Sequence, residues 1–156
     1  MSLGSEIKKK RPFELLEEEA MLNVVRTAEV LQREFADLFR PFELSQTQYN
    51  VLRILRGAMD EPDGGLPCGE IAGRMITRDP DVTRLLDRME KRGLISRCRA
   101  QKDRRVVLAR IAPTGAKRLA ELDPLVAEAH RKLLGHMSRE ELKQLIELLE
   151  AARGRG

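Results

Sequence analysis

Aromatic side chains are scarce in this 156-residue chain: four Phe, one Tyr and no Trp amount to 3%. That scarcity argues against a carbohydrate cleft built on ring platforms, and against a single-strand binder that stacks bases on aromatics. No run of about 18 apolar residues is present, so no segment reads as a membrane-spanning helix. The opening MSLGSEIKKKRPFE lacks the apolar centre of a secretory signal. Its first five residues, MSLGS, have the composition of an expression scar and are set aside from the fold. Two cysteines, Cys68 and Cys98, are too few for a disulfide scaffold and point to a cytosolic chain with reduced thiols. A glycine-rich phosphate loop, a nucleophile elbow, an HExxH pair and a CxxC pair are all missing, so neither enzymatic chemistry nor a cofactor is expected. His130 and His136 stand alone, without further ligands at metal-binding spacing.

What is present is an apolar fraction of 42%, enough for a core, and a charged fraction of 35% that covers the surface. The length suits one domain, able to bury about two thirds of its unfolded surface. Net charge is only +4, but it is unevenly spread. Between Arg74 and Arg105 eleven basic residues face five acidic ones, a net +6 in 32 residues, which leaves −2 for the other 124. A basic block in a nearly neutral chain is the footprint of a polyanion-binding surface; the competing reading is a solvated face that happens to be basic.

The hydrophobic pattern orders the chain. Met21, Val24, Ala28, Leu31, Phe35 and Leu38 recur at alternating spacings of three and four, the stripe of a long helix that Pro41 ends. Ser45 and Gln48 have capping-box spacing and open a second helix, with Tyr49, Leu52 and Leu55 turned inward, that fades near Ala58. Asp60–Pro67 reads as loop. A short helix is expected over Cys68–Met75. The next runs to about Arg92, with Asp79 as its N-cap, Pro80 at its first position and Gly93 as a left-handed C-cap. Leu94–Ala100 and Val106–Ala112 form a hairpin around the basic turn Gln101–Arg105. Thr114 is expected to cap a long helix striped by Leu119, Leu122, Val126, Ala129 and Leu133, kinked or jointed at Pro124 and ended by Gly135. Ser138 and Glu141 form a second capping box before a last helix striped by Leu142, Leu145, Ile146 and Leu149.

Two short helices followed by a basic hairpin resemble a winged helix-turn-helix. A helix fits the major groove of B-DNA, and a wing can carry arginine to the adjacent minor groove. Val82–Ile95 resembles the recognition-helix segment of the MarR family of bacterial transcription regulators. Asp103-Arg104-Arg105 followed by Val106–Ile111 resembles that family's wing signature. Glu70-Ile-Ala72 matches its Glu-Leu-Ala helix, and Ala112-Pro-Thr-Gly115 resembles the start of its next helix with altered spacing. The similarity runs in order from about Leu44 to Leu119. It implies a mainly α fold with a small β-wing, in one domain: residues 12–42 and 114–153 as dimerisation helices, 44–112 as the winged helix-turn-helix. It further implies a cytoplasmic, nucleoid-associated homodimer on a pseudo-palindromic duplex operator, acting as a repressor or an activator, with repressor the leading reading. The terminal stripes would then be dimer core. A winged helix used for protein or RNA contact, without operator binding, is the second reading, and salt-dependent duplex binding separates the two.

On that resemblance Thr83 and Arg84 open the recognition helix and are candidates for base and phosphate contact, while Arg78 and Arg88 suit phosphate. Exposed pairing of Arg88 with Asp87 or Glu90 is the ordinary alternative for that side chain. Asp81 either reads a cytosine amino group or complements the helix dipole. The family's wing Asp pairs with its wing Arg, which matches Asp103 and Arg105 and leaves Lys102 and Arg104 at the tip. The reactive cysteine of peroxide-sensing relatives lies early in the first helix, where this chain has none. All five aromatics fall within the first 49 residues. Phe35, Phe39, Phe42 and Tyr49, with Arg40 and Arg53 as nearby cations, form a candidate pocket for a small phenolic or aromatic carboxylate effector; the competing reading is hinge and dimer core.

Overall fold

The computed structural model describes residues 2–154. A single-turn helix α1 (Leu3–Glu6) precedes the long α2 (Leu16–Phe39). After α3 (Gln46–Gly57), β1 (Leu66–Pro67), α4 (Cys68–Arg74) and α5 (Val82–Lys91) comes the hairpin of β2 (Ile95–Arg99) and β3 (Val107–Ile111), then α6 (Pro113–Leu134) and α7 (Arg139–Arg153). The result is mainly helical with a small antiparallel sheet, as expected.

The helix ends follow local chemistry. Pro41 halts α2 in a short 3-10 turn, Arg40–Phe42, and Glu43 reverses the chain with φ 53°. Ser45 Oγ accepts from Gln48 N–H at 3.1 Å while Gln48 Oε1 accepts from Ser45 N–H at 3.1 Å. The same reciprocal box forms between Ser138 and Glu141. Gly93 ends the α5 segment at φ +67°, a conformation that costs a side-chain-bearing residue.

Four local expectations need correction. Leu66–Pro67, read as loop, pairs with β3 in the register Leu66↔Ala109 and Pro67↔Leu108, giving sheet order β1-β3-β2. Two residues are too few to show alternation, and their partner lies far along the chain. Thr114 is not a cap: α6 starts at Pro113, its N-cap is Ala112, and no side chain caps it. Pro113 brings a helix-ready φ, and Ala112 N–H is already held by Leu94 O at 3.0 Å. Of the two outcomes expected at Pro124, the joint is absent, since α6 runs unbroken past it. The opening MSLGS is not idle either. Met1 lies outside the described residues, but Leu3 is buried, shares an apolar hollow with Leu22 and Val25 of α2, and Glu6 pairs with Arg26 at 3.4 Å.

The core sits inside the winged helix. Val51, Leu52 and Leu55 of α3, Ile71 of α4, Leu85, Leu86 and Met89 of α5, and Ile95 of β2 pack with Leu119 and Leu122 of α6. Gly115 lets α6 close on the sheet: a Cβ there would lie 2.2 Å from Leu94 O. The terminal helices differ. Only Phe39 of α2 is buried and no residue of α7 is, while Met21 is 62%, Val24 48% and Ile146 54% exposed. Leu148, outside the expected stripe, is 69% exposed.

Candidate nucleic-acid interface

The site begins at the start of α5. Asp81, not Asp79, is the N-cap: its Oδ1 accepts from Arg84 N–H at 3.0 Å. Asp79 Oδ1 instead accepts from Asp81 N–H at 2.8 Å and shapes the turn, so Pro80 lies before the helix. Spacing alone could not rank two aspartates around one proline; the choice follows from which carboxylate reaches the amide three residues on. The Asp81 carboxylate also lies 3.1 Å from Arg84 Nε.

From that start α5 buries Val82, Leu85, Leu86 and Met89 and exposes Thr83, Arg84, Arg88 and Lys91. Arg84 keeps its side chain 80% exposed even with its Nε beside the Asp81 carboxylate. Arg78 and Arg88 are exposed and have no carboxylate partner among the described residues. The expected alternative for Arg88 does not form, because Asp87 and Glu90 are taken by Arg97, at 2.6 and 3.7 Å. Sequence reading missed Arg97, since β2 and α5 meet only in the fold.

The wing is fixed mainly by its backbone. Asp103 Oδ1 accepts from the main-chain N–H of Arg105 at 2.9 Å rather than from its guanidinium, Val106 N–H donates to Asp103 O at 3.0 Å, and Arg99 Nη1 donates to Arg104 O at 2.6 Å. The expected Asp103–Arg105 ion pair is therefore replaced by a main-chain contact, because two residues of separation bring the amide within reach first. Lys102, Arg104 and Arg105 all remain exposed at the tip. Arg92 Nη1 donates to Glu43 O at 2.6 Å and ties the far end of α5 to the turn before α3.

Of the six aromatic-region residues, Phe35, Phe39, Tyr49 and Arg53 lie in mutual contact, and Phe42 and Arg40 lie apart from them. Phe39 and Tyr49 stack in the core with ring centroids 4.6 Å apart, and Phe35 lies 6.0 Å from Phe39. Arg53 Nη1 donates to Tyr49 Oη at 3.0 Å, and Arg40 pairs with Asp37. Only Phe42 lines the nearby cavity of about 420 Å³, between the end of α2 and α6, with Leu38, Leu125 and Leu133 as apolar wall and Glu34, Asp37, Glu128 and Lys132 as its charges. Close by, Arg56 Nη1 and Nη2 reach the two Asp123 oxygens at 2.6 and 3.0 Å, tying α3 to α6. Those hydrogen bonds hold the Asp123 carboxyl below its usual range and raise Arg56, with burial opposing both shifts. Cys68 and Cys98 are free thiols, both half-buried. Among the described residues no cluster of three or more His, Cys, Asp or Glu could hold a metal, and no helix is long and apolar enough to cross a membrane.

The same fold recurs in known proteins. The MarR family profile matches residues 44–107, the span from the start of α3 to the wing. A MarR transcription factor from Planctomyces limnophilus is 39% identical over 90% of this chain and 99% of its own, with a TM-score of 0.65. The transcriptional repressor CouR, solved on a 23-mer DNA duplex, is 26% identical over 94% of this chain and all (100%) of its own, with a TM-score of 0.77. BpsR of Bordetella bronchiseptica, whose DNA binding is regulated by 6-hydroxynicotinic acid, shares the fold at a TM-score of 0.78 and 19% identity, covering 94% of this chain and 100% of its own. An exposed basic helix flanked by a basic wing, on a chain this similar to a member over nearly its whole length, belongs to the MarR family of DNA-binding transcription regulators.

Proposed function

We propose that the protein is an operator-binding repressor that works as a homodimer, with residues 12–42 and 114–153 forming the dimer interface and 44–112 reading DNA. The observation that carries the DNA reading is the grouping of exposed Arg78, Thr83, Arg84 and Arg88 on and before α5 with Lys102, Arg104 and Arg105 on the wing. The first set serves the major groove and the second the backbone and minor groove. Asp81 holds the helix start and orients Arg84, and Asp103 holds the wing. The dimer reading rests on the unburied apolar residues of α2 and α7. Two recognition helices related by a two-fold axis would meet half-sites about one helical turn apart on one face of the duplex.

A small effector is proposed for the cavity beside Phe42. The charged groups at its rim are already paired, Glu34 with Lys132, Asp37 with Arg40 and Glu128 with Arg131, so an apolar wall without a spare cation favours a neutral phenol over a carboxylate. Its effect on operator affinity is capped by its differential affinity for the DNA-competent and incompetent arrangements. The deciding experiment is mobility-shift selection from a genomic DNA pool, repeated over a range of salt. Enrichment of pseudo-palindromic sites with steep salt dependence is expected. Absence of any selected duplex sequence would leave the winged helix as a protein or RNA contact module.

A further inference from the structure

The contact residues proposed above can read a sequence only if α5 is held at a set angle to the wing, and one side chain spans both. Arg97 sits on β2. Its Nη1 lies 2.6 Å from Asp87 Oδ1 and 3.7 Å from Glu90 Oε2, and its Nη2 donates to Thr83 O at 3.4 Å. These three groups, one hydrogen-bond acceptor and two ion-pair carboxylates, run along α5 from its first turn to its last. The Arg97 side chain is 26% exposed, against 80% for Arg84, so it lies under the helix rather than in front of it.

We infer that Arg97 is a positioning residue for DNA recognition, fastening α5 to the strand that carries the wing. This rests on the reading of α5 and the wing as the DNA surface. A planar guanidinium can turn one nitrogen to a main-chain oxygen and the other to two carboxylates; a lysine ammonium, a point charge on a flexible stem, cannot do so with the same geometry. From β2 the restraint continues into the wing, where Arg99 donates to Arg104 O. Recognition helix, strand and wing tip thus move as one unit. A hollow of about 230 Å³ beside Arg97, lined by Cys68, Thr83, Leu86, Val107 and Ala109, leaves α5 room to shift once the guanidinium is gone.

The test measures operator and random-duplex affinity across salt for the full chain and for Arg97→Gln, Arg97→Lys and Asp87→Asn, with thermal melts alongside. Arg97→Gln is expected to lose about tenfold in operator affinity through misaligned base contacts, with random-duplex affinity and the salt slope unchanged. Arg97→Lys should stay closer to Arg97→Gln than to wild type. Asp87→Asn gives the sharpest sign. Removing a carboxylate beside phosphates should tighten binding on electrostatics alone, whereas loss of the Arg97 anchor weakens it. If Arg97→Gln melts early, Asp87→Asn carries the test. The inference is overturned if Arg97→Gln lowers the slope by about one, the mark of a direct phosphate contact. It is equally overturned if Asp87→Asn tightens binding, or if both variants keep wild-type operator affinity. A wild-type chain with no salt-dependent, sequence-selective binding instead sinks the underlying DNA reading.

Discussion

Arg84 combines a role in the helix start with the exposure needed to reach a base. Its backbone N–H is spent on the Asp81 cap and its Nε lies near the same carboxylate, while the rest of the guanidinium is free to extend into a groove. Arg84→Ala is therefore expected to weaken operator binding by about 1–3 kcal/mol while barely changing random-duplex affinity, as read by competition mobility shifts. An equal loss on both DNAs would reassign it to phosphate. Arg104 and Arg105 differ in kind: the fold uses their main-chain groups and leaves both guanidinium groups in solvent. Arg104→Ala and Arg105→Ala should each weaken binding to any duplex and lower the log–log salt slope by about one. Unchanged slopes would remove the wing from the interface. The basic positions of α5 and the wing were legible in the sequence because a polar turn and a helix face follow from local spacing. The partners of Asp87 and Glu90 were not, because Arg97 reaches them across the fold.

Among the elements, α6 links the DNA-reading half to the terminal half, and two contacts define its seat. At one end the missing side chain of Gly115 lets it approach Leu94 O. Gly115→Ala should cost about 1–3 kcal/mol by forcing the helix off the sheet, seen as a lower urea midpoint. A neutral result would mean α6 can slide freely. Further along, Arg56 and Asp123 join it to α3. Because Asp123 is held below its ordinary range in the fold, its contribution is present at neutral pH, above the unfolded value. It is lost as pH falls through the depressed folded value. The pair is partly exposed, so Asp123→Asn should cost at most about 1 kcal/mol at neutral pH. That difference from wild type should vanish in strong acid, measured by denaturant melts at several pH values. A difference that persists in acid would mean that packing, not charge, is what Asp123 supplies. The long helices and the two capping boxes were readable from periodicity and box spacing, whereas α1 and the start of α6 were not. The two-residue β1 and the true N-cap of α5 were not, since each depends on which distant or competing group lies within bonding distance.

At the level of the whole molecule, one chain leaves its terminal helices half finished. Leu148 and Ile146 of α7 and Met21 and Val24 of α2 face solvent in the single subunit. Sedimentation is expected to give about twice 17.8 kDa at micromolar concentration. Ile146→Asp should shift the protein to monomers and reduce operator affinity steeply, because two linked half-site contacts become one. A stable wild-type monomer at that concentration would overturn the dimer proposal.

The order of helices, the hairpin, the basic block and the resemblance to MarR regulators were all determined by the sequence alone, because each rests on neighbours within a few residues or on local composition. Which side chains face each other was decided only by tertiary structure. Phe39 and Tyr49, ten residues apart on separate helices, stack together in the core, and a cavity opens beside Phe42 between α2 and α6. Arg97, unremarkable beside Cys98 in the sequence, becomes the one basic side chain among the described residues that ties the recognition helix to the wing's strand by ion pairs. The physical reason is the same in both cases. Ring stacking and ion pairing act over a few ångströms in space, and only the packed chain brings residues from separate elements within that range.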